Sequence, residues 1–286
     1  MDNIYLNELS LNGQFRSMDE FLDACVPLMK CLKFLQGSKK SIYKHSSFYK
    51  QRITDSLRLN DLRGVRNDKA RRLKSLLLST TDNPPYWDLE EELKQDLEAQ
   101  YTVAEADITA TSVAEAAEED GMLLSFLHND YQDIMLPVCK NGESLRTISS
   151  SVSLNHLSDQ LWKREQIDVH KYVKAKYTGT RLDFSQMEEQ YGLNGFERDE
   201  IRDCIQAFDR FVRRESWEEL AKDKGLHYKK YVPNAVENDW FRQERYQDKE
   251  IYKFRCGNPK RCFGYRKDNV FYVLRMERDH KISDNG

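Results

Sequence analysis

The sequence has no run of about 18 apolar residues, and this predicts that no helix spans a membrane. Its opening, Met1-Asp2-Asn3-Ile4, lacks a basic stretch followed by an apolar one, so no secretory leader is expected. The six cysteines (Cys25, Cys31, Cys139, Cys204, Cys256 and Cys262) are scattered and never spaced C-x-x-C. That leaves out zinc sites of the usual spacing and predicts free thiols in a reducing, cytoplasmic setting. Also missing are Gly-x-x-x-x-Gly-Lys-Ser/Thr, Gly-x-Gly-x-x-Gly, Gly-x-Ser-x-Gly and His-Glu-x-x-His, so nucleotide hydrolysis, dinucleotide redox chemistry and zinc proteolysis lack support. No cofactor and no metal ligand set is indicated; His45, His128, His156 and His170 lack companions at metal spacing.

Apolar residues make up 39 % of the 286 positions and charged ones 33 %, a balance that calls for modest cores and well-solvated surfaces. Fifteen Tyr, thirteen Phe and four Trp supply enough large side chains to argue against wholesale disorder. The net charge of -3 hides an asymmetry. Residues 224–286 carry fifteen Lys/Arg against nine Asp/Glu, a net of +6, and the remainder carries -9. A basic end beside an acidic body fits either a nucleic-acid-facing patch or charge complementarity within one chain.

The length favours two domains. Ser17, with Glu20 three residues on, reads as a capping box for a helix whose apolar stripe runs from Phe21 to Leu35 and stops at Gly37. Further helices are expected over 53–62, from Asn67-Asp68 through Leu77, and over 88–100; Asn83-Pro84-Pro85 breaks the chain between the last two. Within 88–100, Glu92-Leu93-Lys94 matches the E-x-K of metal-dependent nucleases, but it lies in a helical pattern where that chemistry needs a sheet strand. Met122–Leu127 and 133–138 read as strands, and Lys140-Asn141-Gly142-Glu143 as a hairpin, since Asn-Gly supplies the two positive φ angles of a type I′ turn. Residues 149–153 form the only low-complexity patch, and 154–177 return to helix.

After Gly192 and Gly195 the pattern becomes helical over 198–225, either one helix or two joined near Ser216, and then switches to period two. Three strands follow at short spacing: Ile251–Cys256, Arg261–Arg266 and Val270–Met276, an antiparallel meander. The expected fold class is therefore α+β. Residues 1–190 form a mainly helical, acidic region with a small α/β element whose hairpin lies near 120–148; residues 195–286 form a basic helix-plus-antiparallel-meander domain.

On the meander, Lys253 and Arg255 share one face, as do Arg261, Phe263 and Tyr265. Arg266, Arg275 and Arg278 add charge, as do Lys260 and Lys281, and Tyr252, Phe263, Tyr265 and Tyr272 are interleaved with it. Cations for phosphates and rings for bases suit a nucleic-acid surface; an exposed antiparallel face that is simply polar is the alternative. The order Ile251-Tyr-Lys-Phe-Arg, Lys260-Arg-Cys-Phe-Gly-Tyr-Arg, Val270-Phe-Tyr-Val-Leu and Asp279-His280-Lys281, fed by two helices, resembles the RelE/ParE superfamily of toxin domains over about a third of the chain. Residues 1–190 carry no such resemblance.

The resemblance implies a metal-independent endoribonuclease acting on RNA in the ribosome, in a prokaryotic stress or phage-defence setting. Arg255 and Arg261 would stabilise the phosphate, and His280 would serve as acid or base. Tyr265 would stack on or orient a base, with Lys253, Lys260, Arg266, Arg275 and Lys281 as further nucleic-acid contacts. Glu277 and Glu250 are candidates for the base, without a fixed family position. The ParE branch acts on gyrase instead, so a non-catalytic binding subunit of a larger complex stays open. So does an inhibitory protein partner, or masking of the basic domain by the acidic N-terminal region.

Overall fold

The computed structural model describes residues 3–36, 40–81, 86–89, 93–233, 235–279 and 281–284. Asn83-Pro84-Pro85, Gly37, Glu92 and His280 lie outside the described residues. The chain is a mixed α and β protein that divides into two compact units, Met1–Gln160 and Leu161–Gly286.

The first unit contains β1 (Ile4–Leu6), α1 (Met18–Ala24), α2 (Val26–Leu35), β2 (Ile42–Lys44), α3 (Asp68–Thr80), β3 (Tyr101–Val103) and β4 (Ala106–Asp107). It continues with α4 (Ser112–Glu118), β5 (Met122–Leu124), β6 (Ile134–Lys140), β7 (Glu143–Ser151) and α5 (Leu154–Lys163), within which the division falls. Ser17 caps α1 by accepting from the Glu20 amide at 3.2 Å, while the Glu20 carboxylate takes the Arg16 amide at 2.9 Å. The expected single helix over 21–35 is two, because Pro27 has no N–H to continue the ladder across Cys25. Asn67 caps α3 through Ala70 at 2.8 Å.

This unit is organised on a sheet larger than the small α/β element expected. Its seven strands run β2-β1-β5-β7-β6-β3-β4, with β2, β1, β5 and β7 parallel and β6, β3 and β4 antiparallel. Its parallel strands β1, β2 and β5 are three residues long and buried throughout or nearly so, which leaves no alternation to read. The β6–β7 hairpin turns on Asn141 (φ 52°) and Gly142 (φ 81°), as the Asn-Gly pair requires. The serine patch is the buried end of β7: the Ser150 hydroxyl donates to the Tyr131 carbonyl at 2.6 Å and lies 2.7 Å from that of Ser125. Residues 53–62 form only a short 3₁₀ helix, Leu59–Gly64, and 88–100 carry only Trp87–Leu89 as helix among the described residues.

The second unit contains α6 (Val169–Lys176), β8 (Leu182–Asp183), α7 (Arg198–Val212), α8 (Trp217–Lys222), β9 (Lys229–Lys230), β10 (Ile251–Arg255), β11 (Arg261–Lys267), β12 (Val270–Glu277) and α9 (Lys281–Asp284). It begins upstream of Gly195 because residues from α6 and β8 complete it: Leu182 pairs with Phe271, and Tyr177 and Phe184 pack on Phe208. Asp168 caps α6 through Lys171 at 2.8 Å, which separates it from α5 where one helix was expected. Ser216 caps α8 through Glu219 at 3.2 Å.

The sheet order is β8-β12-β11-β10-β9. Strands β10, β11 and β12 form the expected antiparallel meander, β9 extends it antiparallel, and β8 joins parallel to β12. A bulge between Phe263 and Gly264 shifts the β11–β12 register. Only glycine fits there, since a Cβ on Gly264 would sit 2.1 Å from the Tyr272 carbonyl oxygen.

Each face of this sheet is covered. Phe254, Cys256, Cys262, Phe271 and Val273 pack against Phe208 and Phe211 of α7. On the other face Ile251, Phe263, Tyr265 and Leu274 meet Tyr231, Phe241 and Tyr246 of the segment between β9 and β10. Cys204, Cys256 and Cys262 are buried free thiols, and burial pushes the Cys256 and Cys262 thiols up.

Candidate nucleic-acid interface

Pairing across the meander brings three side chains abreast. Arg255 of β10 stands opposite Arg261 of β11, which stands opposite Glu277 of β12, so all three project from one face at one end of the sheet. Arg255 is half-buried, its Nε is enclosed without a hydrogen-bond partner, and among the described residues it has no ion-pair partner. The Arg261 guanidinium folds back onto the turn, donating from one nitrogen to the Pro259 and Lys260 carbonyls at 2.8 Å each. Glu277 is buried, and its Oε1 accepts from the Ile282 amide of α9. Gly257, with φ +84°, turns β10 into β11 and allows the close approach of Asp203.

The other basic residues of the meander do not join this group as an open surface. Lys253 is on the same face, but it is buried with Nζ 5.7 Å from the Tyr231 ring. Lys260 is buried in the turn, its ammonium 3.3 Å from the Asp203 carboxylate. Arg275, at 1 % exposure, is enclosed by the Tyr191, Trp240, Phe241 and Tyr246 rings at 4.5 to 5.3 Å. Its guanidinium takes Glu188 in a fork, Nε to Oε1 at 2.6 Å and Nη2 to Oε2 at 3.2 Å, and donates to the Trp240 carbonyl. Desolvation pushes the Glu188 carboxyl up, but hydrogen bonds from Arg275 and Tyr246 and the charges of Arg275 and Arg245 outweigh it, holding the group below the usual carboxylate range.

These placements correct the expectation that Lys253, Lys260 and Arg275 lie on an open surface. The segment between β9 and β10 covers the middle of the face, and a cation enclosed there is retained only with partners. Tyr265 is likewise buried, stacked on Tyr272 at 5.2 Å, with its hydroxyl donating to Gln186 at 2.9 Å. Arg266 is exposed but pairs in register with Phe271, on the helix-packed face, where it lies over the Tyr252 ring at 4.2 Å. Lys281 opens α9 beside Asp279, 2.5 Å away, and Glu250 pairs with Lys230 at 2.6 Å. His280 lies outside the described residues.

Two residues that matter here had no signal in the sequence. Glu188 is 87 positions from Arg275, and Asp203 sits mid-helix without any local partner for Lys260. Among the described residues no group of three His, Cys, Asp or Glu side chains is placed to hold a metal ion, and no helix is long and apolar enough to cross a membrane. No protein-family model, curated protein or solved structure matches the chain.

Proposed function

We propose that the second unit is an RNA-directed effector that grips the phosphate backbone with Arg255 and Arg261 and cleaves it beside them. The observation that supports this reading is the alignment of two arginines and one carboxylate on three adjacent strands. Cleavage of RNA by its own 2′-hydroxyl needs a base for that proton, cations for the charge gathering on the phosphate, and an acid for the leaving 5′-oxygen. Glu277 is the base in this scheme and the arginines are the cations; the resemblance of the meander to the RelE/ParE superfamily supplies His280 as the acid. A prokaryotic stress or phage-defence setting, with ribosome-bound RNA as target, rests on the same resemblance.

One observation favours a second reading, RNA binding without cleavage: Glu277 is buried and already accepts a backbone hydrogen bond. The two readings separate in one experiment. Purified protein is mixed with labelled RNA, with and without ribosomes, alongside Arg255→Ala, Arg261→Ala and Glu277→Gln. Cleavage lost in all three, with binding retained in Glu277→Gln, supports the nuclease. Binding without cleavage in the wild type leaves the second reading, and no RNA binding at all ends both.

A further inference from the structure

The first unit holds a pocket of about 530 Å³ between the end of β2, the Leu59–Gly64 helix and α3, a size typical of small-molecule sites. Three cations line it: Lys44, Arg63 and Lys74. Lys44 closes β2 and is 3 % exposed. Its ammonium donates to the Tyr49 hydroxyl at 3.1 Å and the Thr81 hydroxyl at 3.5 Å, and lies 4.9 and 5.6 Å from the Tyr49 and Tyr86 rings. Lys74 reaches back from α3 to the Val65 carbonyl at 3.0 Å.

Among the described residues none of these three cations forms an ion pair, and no carboxylate lines the pocket. An ammonium enclosed without a counter-charge is costly, and desolvation pushes Lys44 down to about 8. Leu59, Leu62 and Leu77 supply the apolar wall of the same pocket. A pocket lined by cations and leucines together suits an anion joined to an apolar body.

We propose that this pocket binds a small organic phosphate of nucleoside-monophosphate size, its phosphate on Lys44 and Arg63 and its apolar part against the leucine wall. The site belongs to the first unit and is independent of the RNA reading given to the second.

The test is calorimetric titration of the full chain with adenosine monophosphate, inorganic phosphate and adenosine, for wild type, Lys44→Met and Arg63→Gln. The wild type is expected to bind the monophosphate with Kd below about 1 mM, and each variant at least about tenfold more weakly. Arg63 is exposed, so Arg63→Gln keeps the test open should Lys44→Met misfold. Absence of monophosphate binding, or unchanged affinity in Arg63→Gln, overturns the proposal. Equal affinity for inorganic phosphate overturns its apolar half, and equal affinity for adenosine its phosphate half.

Discussion

Arg275 and Arg261 stand on neighbouring strands of one sheet, two residues apart in register, yet they live in opposite environments. Arg275 is sealed beneath the Trp240–Tyr246 cover with Glu188 as its counter-charge; Arg261 lies past the edge of that cover, its guanidinium donating to backbone carbonyls of its own turn. The comparison teaches that cations on one strand face are not one surface. Those under the cover are buried with partners from the fold, and those beyond it are only half-buried. Burial, rather than charge or alternation, draws the line.

The sharpest way to break this division is Arg275→Ala, which leaves Glu188 enclosed without its partner. We expect a loss of about 3–5 kcal/mol in urea denaturation; a change within about 0.5 kcal/mol would show that the cover does not depend on the pair. Acid should act on the same contact. Glu188 has a folded-state pKa below its unfolded value, so its stabilisation is present above about pH 4.5 and fades as pH falls through the folded value. The stability gap between wild type and Glu188→Gln, about 1–3 kcal/mol at pH 7, should therefore narrow below pH 4.5.

Arg255→Ala and Arg261→Ala should do the reverse of Arg275→Ala. RNA affinity falls by about 1–2 kcal/mol each and the salt slope of binding by roughly one, while denaturation midpoints stay close to wild type. A stability loss as large as that of Arg275→Ala would erase the distinction between the two environments. The smallest effect is expected for Arg266→Ala, on the opposite face. RNA affinity should be unchanged, and stability should move by no more than about 0.5 kcal/mol from the lost stacking on Tyr252.

Much of the second unit is legible in the sequence. Alternation marked β10, β11 and β12, and the change of period after Gly225 marked where helices give way to strands. The pairing of Arg255 with Arg261 follows from a short turn between two such strands. The enclosure of Lys253 and Arg275 was not legible, because the covering segment has neither period and its partners lie far away in sequence; that of Lys260 was not, because its partner Asp203 comes from α7. In the first unit the Asn141-Gly142 hairpin and the caps at Ser17 and Asn67 were legible, each being a local stereochemical demand. The parallel strands were not: three buried residues give no alternation, and their neighbours in the sheet are tens of positions away.

The sequence by itself determined the local elements, since capping, turn geometry and strand alternation depend on residues within a few positions of one another. It also determined the basic character of the last quarter of the chain. Only the tertiary structure decided which of those charges meet water and which, like Arg275, meet a carboxylate beneath a covering segment. Solvation and pairing are set by whatever the fold brings alongside, and no local pattern encodes that.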